Sequence, residues 1–178
     1  MQRFRVVPLL AVISLMLWSV SAAVAHDMDV TTSFDDDWTA QEFGHNDEDP
    51  WKGWANITVS NTGTESWGDF HFEIVGTGIE NVDFLVASPN EPTYDKGSGS
   101  LPLTWSVNNS VVGATLDLYF YSNPVAPSET ATFTVYTDNT VDQNSFFGLM
   151  LYPTPVPEPT ALAMLAMGGL MLLRRSKR

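Results

Sequence analysis

Between His26 and Tyr152 apolar side chains recur at every second position, and no stretch carries a helical period. Ala55, Ile57 and Val59 alternate with Asn56, Thr58 and Ser60. Phe70, Phe72 and Ile74 alternate with Asp69, His71 and Glu73, and the same pattern returns in Leu103–Val107, Leu116–Phe120, Ala131–Val135 and Phe147–Leu151. Val82, Phe84 and Val86 form a shorter run, and Met28 to Thr32 a further one. Asn61-Thr62-Gly63-Thr64, Ser88-Pro89-Asn90, Gly97-Ser98-Gly99 and Pro124 to Ser128 supply the turns. Each run has one apolar face, so seven or eight antiparallel strands need a second sheet to cover them. The pattern predicts an all-β antiparallel β-sandwich over residues 26–152, with Trp105 on an inward face and reading as core. With 19 aromatic side chains in residues 26–157, the segment has the material for a substantial core.

The two ends differ from this middle. Arg3 and Arg5, the apolar run Val6 to Val20, and Ala23-Val24-Ala25 form the three parts of a secretory signal. This predicts a signal helix over residues 1–25 and cleavage by signal peptidase between Ala25 and His26. At the other end, residues 153–159 are a stiff spacer in which Pro153, Pro155, Pro157 and Pro159 alternate. Residues 160–178 follow as a hydrophobic segment with a basic tail. The uncharged stretch from Thr160 to Leu173 would extend about 21 Å as a helix. A bilayer core is roughly 30 Å thick, so this short transmembrane helix suits a transient rather than a permanent hold. Arg174, Arg175, Lys177 and Arg178 act as the membrane stop on the cytoplasmic side.

Val156-Pro157-Glu158-Pro159, the Ala/Leu/Met/Gly segment and Arg174-Arg175-Ser176-Lys177-Arg178 resemble the PEP-CTERM sorting signal. Proteins with that signal occur in Gram-negative bacteria that make exopolysaccharide. The resemblance implies processing by an exosortase and passage through the inner membrane to the cell surface or extracellular matrix. Two prolines around Glu158 hold the backbone extended, the form in which a processing enzyme takes its peptide. ITVSNTGTESWGDFHFEI and VAPSETATFTVYTDN also resemble strands of bacterial surface immunoglobulin-like domains.

Charge narrows the partners. The chain has a net charge of -13, and residues 26–157 hold 20 of its 21 acidic side chains against only Lys52 and Lys96. Such a surface repels phosphate backbones, which argues against nucleic acid as a partner. Cysteine is absent, which excludes disulfides and thiolate chemistry. No His-Glu-x-x-His pattern and no nucleophile elbow are present. The expected function is therefore that of an exported, non-enzymatic protein. A carbohydrate-binding or adhesion module is the first alternative, with extracellular polysaccharide as its partner, and a secreted hydrolase the second.

One feature suggests a cation. Asp35, Asp36 and Asp37, with Asp47, Glu48 and Asp49, offer hard oxygen ligands for weak Ca²⁺ binding, although their spacing is not that of an EF-hand. A solvated, self-repelling loop is the simpler account and needs no ion, and no other cofactor is indicated. Trp38, Trp51, Trp54 and Trp67 surround this region and offer either rings for sugar stacking or core filling. Of the histidines, His26 is the expected new N-terminus, His45 lies in the loop GHNDEDP, and His71 falls on the solvent face of a strand.

Overall fold

A computed structural model describes residues 26–156. The expected signal helix and the short C-terminal transmembrane helix both lie outside the described residues. Among the described residues there is no helix long and apolar enough to cross a membrane.

Ten strands are present: β1 (Met28–Phe34), β2 (Gln41–Asn46), β3 (Lys52–Asn61), β4 (Trp67–Val75), β5 (Asp83–Leu85), β6 (Thr93–Asp95), β7 (Thr104–Asn108), β8 (Thr115–Tyr119), β9 (Thr130–Asp138) and β10 (Phe146–Pro155). They form two five-stranded sheets. The first runs β1-β3-β9-β5, with β6 also paired to β9, and the second runs β2-β10-β4-β8-β7. The all-β sandwich is as the alternation predicts, with two additional short elements. β2 and β6 were not legible, because QEFGHN carries a single large aliphatic or aromatic side chain and β6 is three residues long.

One pairing departs from the antiparallel expectation. β1 and β3 run parallel, with Met28 beside Ala55 and Phe34 beside Asn61. Parallel neighbours need a crossover between them. Here β2 provides it by crossing to the other sheet and returning.

The inward faces meet in an aromatic core. Phe133 of β9 stacks on Phe70 at 4.8 Å and on Tyr94 at 5.2 Å, with Phe120 5.3 Å away. Ile57, Val59, Phe72, Ile74, Leu116, Leu118, Val135 and Leu151 complete it, each almost fully buried. Trp105 corrects the sequence reading. It pairs with Leu118 and shares its face, yet remains 37% exposed. β7 is the outer strand of its sheet and has a neighbour on one side only, so its inward face lies at the margin of the core.

β10 runs through Pro153 to Pro155, the first residues of the predicted spacer. β2 accompanies β10 only as far as Leu151, so both prolines fall where one side of β10 is open. Their missing N–H groups face that open side, while Val156 N donates to Ser66 O at 2.9 Å on the other.

Candidate functional site

The parallel β1–β3 register sets His26 next to Gly53, two positions before the first paired residues. The approach is close. A Cβ on Gly53 would lie 2.2 Å from the His26 carbonyl oxygen, so only glycine admits the His26 backbone there. Asp27 fixes the same segment by accepting a hydrogen bond from Trp54 N at 2.9 Å.

His45 and Asp47 arrive from the other sheet. His45 pairs with Phe147 across β2 and β10, and its ring meets that phenyl edge-on at 5.3 Å. Asp47 follows directly after β2, with its backbone N donating to Ser145 O at 3.0 Å. Its carboxylate accepts from Asn139 Nδ2 at 2.8 Å and from Glu48 N at 3.0 Å.

These anchors bring three metal-ligating groups together. One ligand atom each from His26, His45 and Asp47 lie within 4.8 Å of one another. His45 Nε2 is 3.8 Å from Asp47 Oδ1, and the two imidazole centroids are 5.0 Å apart. His45 and Asp47 are 8% and 7% exposed. Burial holds the His45 imidazole below its ordinary pKa, the Asp47 charge opposes that shift, and His26 adds to it. The neutral ring, the ligating form, is therefore favoured. His26 Nδ1 is buried and has no hydrogen-bond partner.

A second histidine cluster occupies the outer face of the other sheet. His71 pairs with Asp117 across β4 and β8, and its Nδ1 donates to Asp117 Oδ1 at 2.6 Å. Its Nε2 is 3.4 Å from Asp69 Oδ1, and Tyr152 stacks on the ring at 4.7 Å. Asp69 is 7% exposed and accepts further bonds from Tyr121 OH at 2.8 Å and from Thr154 Oγ1. His71 thus lies on the outer face of β4, opposite the buried Phe70 and Phe72, and is half-buried and fully partnered there. Burial disfavours its charged form, but the bonds to Asp69 and Asp117 outweigh that and raise its pKa above the ordinary value. The Asp69 bond and burial push the Tyr121 hydroxyl up to about 12.

The acidic residues do not assemble as a single site. Among the described residues, the one group of three potential ligands is His26, His45 and Asp47. Asp35 to Asp37 instead shape a turn. Asp35 Oδ1 accepts Asp37 N at 3.2 Å, and Asp37 Oδ1 accepts Thr39 N at 2.9 Å. Asp36 accepts both the N–H and the hydroxyl of Thr64, at 2.8 Å each, across to the loop after β3. Glu48 and Asp49 are exposed. Trp38 and Trp51 follow the two acidic runs in left-handed backbone, with φ of 54° and 59°. Glu48 O accepts Trp51 N at 2.7 Å, which closes the second turn. Trp67 is wholly buried, its ring 6.0 Å from Phe34, and is core rather than a sugar platform. Trp54 lies half-buried with its ring 4.8 Å from Tyr136.

Of the remaining predicted positions, Val156 ends the described fold. Ala23, Ala25, Pro157, Glu158, Pro159, Arg174, Arg175, Lys177 and Arg178 lie outside the described residues. Sequence reasoning took Asp47 with its chain neighbours. Its spatial partners, His26 and His45, were visible as residues, but their meeting depends on the β1–β3 and β2–β10 pairings.

No family model and no curated protein matches the chain. Among solved structures, the chain is similar to the crystal structure of Aeromonas hydrophila PliG, a periplasmic lysozyme inhibitor of g-type lysozyme. The identity is 12%, the match covers 72% of this chain and 99% of that one, and the TM-score is 0.31.

Proposed function

We propose that this protein is an exported, non-enzymatic surface or matrix component, released from its signal peptide and sorted through its C-terminal tail by an exosortase. The observation that supports this reading is that all ten strands among the described residues lie between Met28 and Pro155, inside the two predicted processing segments. His26 and Asp27, directly after the Ala-Val-Ala stretch, are held against β3 at Gly53 and Trp54. Val156, directly before Pro157, donates its backbone N–H to Ser66 O. The strand pairings among the described residues all fall within Met28–Pro155, so a cut at either predicted position leaves those pairings in place. The inner membrane holds only the precursor, with Arg174 to Arg178 on the cytoplasmic side. The mature domain then resides at the cell surface of a Gram-negative bacterium or among its extracellular polysaccharide.

Intact-mass measurement of the native surface and medium fractions tests this. The expected mature form begins at His26 and ends between Pro157 and Thr160, with any attachment visible as added mass. Glu158→Ala should leave export intact, because the signal peptide acts first, and should block tail processing so that the precursor stays in the membrane. A mature form that still ends at Arg178 would make the tail a simple anchor.

A further inference from the structure

His26, His45 and Asp47 leave one atom unexplained. His26 Nδ1 is buried without a partner, and leaving a buried nitrogen unsatisfied is destabilising. Nothing about the β1–β3 pairing requires a histidine there, because Asp27 and Gly53 already fix the backbone. An orphan of this kind, on a ring that lies beside a buried imidazole and within reach of a buried carboxylate, has the form of an open coordination position.

Nearby hydrogen bonds hold the cluster in place without using up its ligand atoms. Asn139 and Glu48 N orient the Asp47 carboxylate, which has further lone pairs to give. The ligands come from both sheets, His26 from the segment leading into β1 and the other two from the end of β2.

We propose that the mature chain binds one Cu²⁺ ion here, through the α-amino nitrogen and Nδ1 of His26, an imidazole nitrogen of His45 and a carboxylate oxygen of Asp47. This rests on the cleavage after Ala25 proposed above. That cut would convert the His26 nitrogen from an amide, which has no lone pair to donate, into an amine. The amine and Nδ1 of one histidine close a six-membered chelate ring on a metal. Three nitrogens and one oxygen form the tetragonal donor set that suits Cu²⁺, the divalent ion favoured most by nitrogen ligands in the first transition row. Export and metal loading are then linked, since the cytoplasmic precursor lacks the first donor.

The test uses the chain from His26 to Arg178 in mild detergent, with a site-specific protease cutting directly before His26. The N-terminus is then independent of signal peptidase. Titration with Cu²⁺ should give one equivalent bound, an axial electron paramagnetic resonance spectrum with nitrogen splitting, and a raised Tm. A variant with one extra alanine before His26 should keep its metal-free Tm. Losing an outer-shell partner costs about 10–100-fold in metal affinity, so losing a direct donor should weaken Cu²⁺ binding by at least about 100-fold. His45→Phe should weaken it comparably. Equal affinity in the alanine-extended chain, or Zn²⁺ bound as tightly as Cu²⁺, would overturn the inference. A native N-terminus away from His26 would instead overturn the export reading, and the mass measurement reports that separately.

Discussion

The two histidine–carboxylate clusters use the same residue types for opposite ends. At His71 both ring nitrogens face carboxylates, at 2.6 Å and 3.4 Å, and the bonds to them raise its pKa and favour the charged form. At His45 one carboxylate stands off at 3.8 Å, a second imidazole lies alongside, and burial holds the ring neutral. The difference follows from which elements supply the acids. Asp69 and Asp117 share His71's face on β4 and on the paired strand β8, in direct lateral contact. Asp47 reaches His45 from beyond the end of its own strand and divides its carboxylate between Asn139 and Glu48 N. A satisfied cluster stabilises the fold, whereas an unsatisfied one is available to a ligand.

Removing one group from each cluster should expose this contrast, and the largest effect falls on Asp69. Its side chain is 10% exposed and faces three donors. Asp69→Ala takes a shared partner from His71, Tyr121 and Thr154 at once and should destabilise by about 3–5 kcal/mol. His71→Phe loses the charged hydrogen bonds and should cost about 1.5–3 kcal/mol. His45→Phe replaces a neutral buried ring with an apolar one of similar size and should cost less than about 1.5 kcal/mol without metal. Urea unfolding of the three variants checks the order. If His45→Phe proved as damaging as Asp69→Ala, the first cluster would be a structural element after all.

The same contrast sets the pH dependence. His71 has a folded pKa above its ordinary 6.5, so its stabilising contribution is fully present below 6.5 and is lost as pH rises through the folded value. Asp69 behaves in the opposite sense. Burial alone would raise its pKa, but bonds from His71, Thr154 and Tyr121 outweigh that and lower it. Its contribution is therefore present above its ordinary 3.8 and is lost as pH falls through the folded value. Together they predict greatest stability between about pH 4 and pH 6.5, with Tm declining on the alkaline side. His71→Gln should flatten the alkaline decline and leave the acid one largely in place. An alkaline decline that survives His71→Gln unchanged would assign it to another group.

Much of this was readable before any coordinates. Ala55 to Val59, Phe70 to Ile74 and Ala131 to Val135 alternate cleanly because both neighbouring strands and the facing sheet select one side of each. Trp105 obeys the alternation but not the burial, since periodicity reports which face a residue takes and not how far that face is covered. His71 carried a signal that was passed over. Asp69 and His71 are two apart in DFHF, which places them on one face of one strand. His45 and Asp47 are likewise two apart, but their meeting with His26 had no local signal. It arises from a parallel pairing reached through a strand in the opposite sheet, and no spacing within the chain encodes that contact.

The smallest effect is expected where carboxylates face backbone rather than histidine. Asp36 is exposed and its carboxylate is held below the ordinary range chiefly by the Thr64 hydroxyl and N–H. Asp35 and Asp37 each accept an N–H two residues ahead. These oxygens already serve the turn, and an ion would have to compete with it for the same lone pairs. The cost of freeing them falls equally on any hard cation, whereas selectivity between Ca²⁺ and Mg²⁺ requires a cage of defined size and ligand number. Millimolar Ca²⁺ should therefore shift Tm only slightly, Mg²⁺ should shift it by the same amount, and chelator should reverse both. Asp36→Asn keeps an acceptor for Thr64 and removes the charge, so it should leave that small shift almost unchanged if general screening of the acidic surface is its origin. A calcium-selective rise that Asp36→Asn removes would instead mean that the turn opens and closes around the ion.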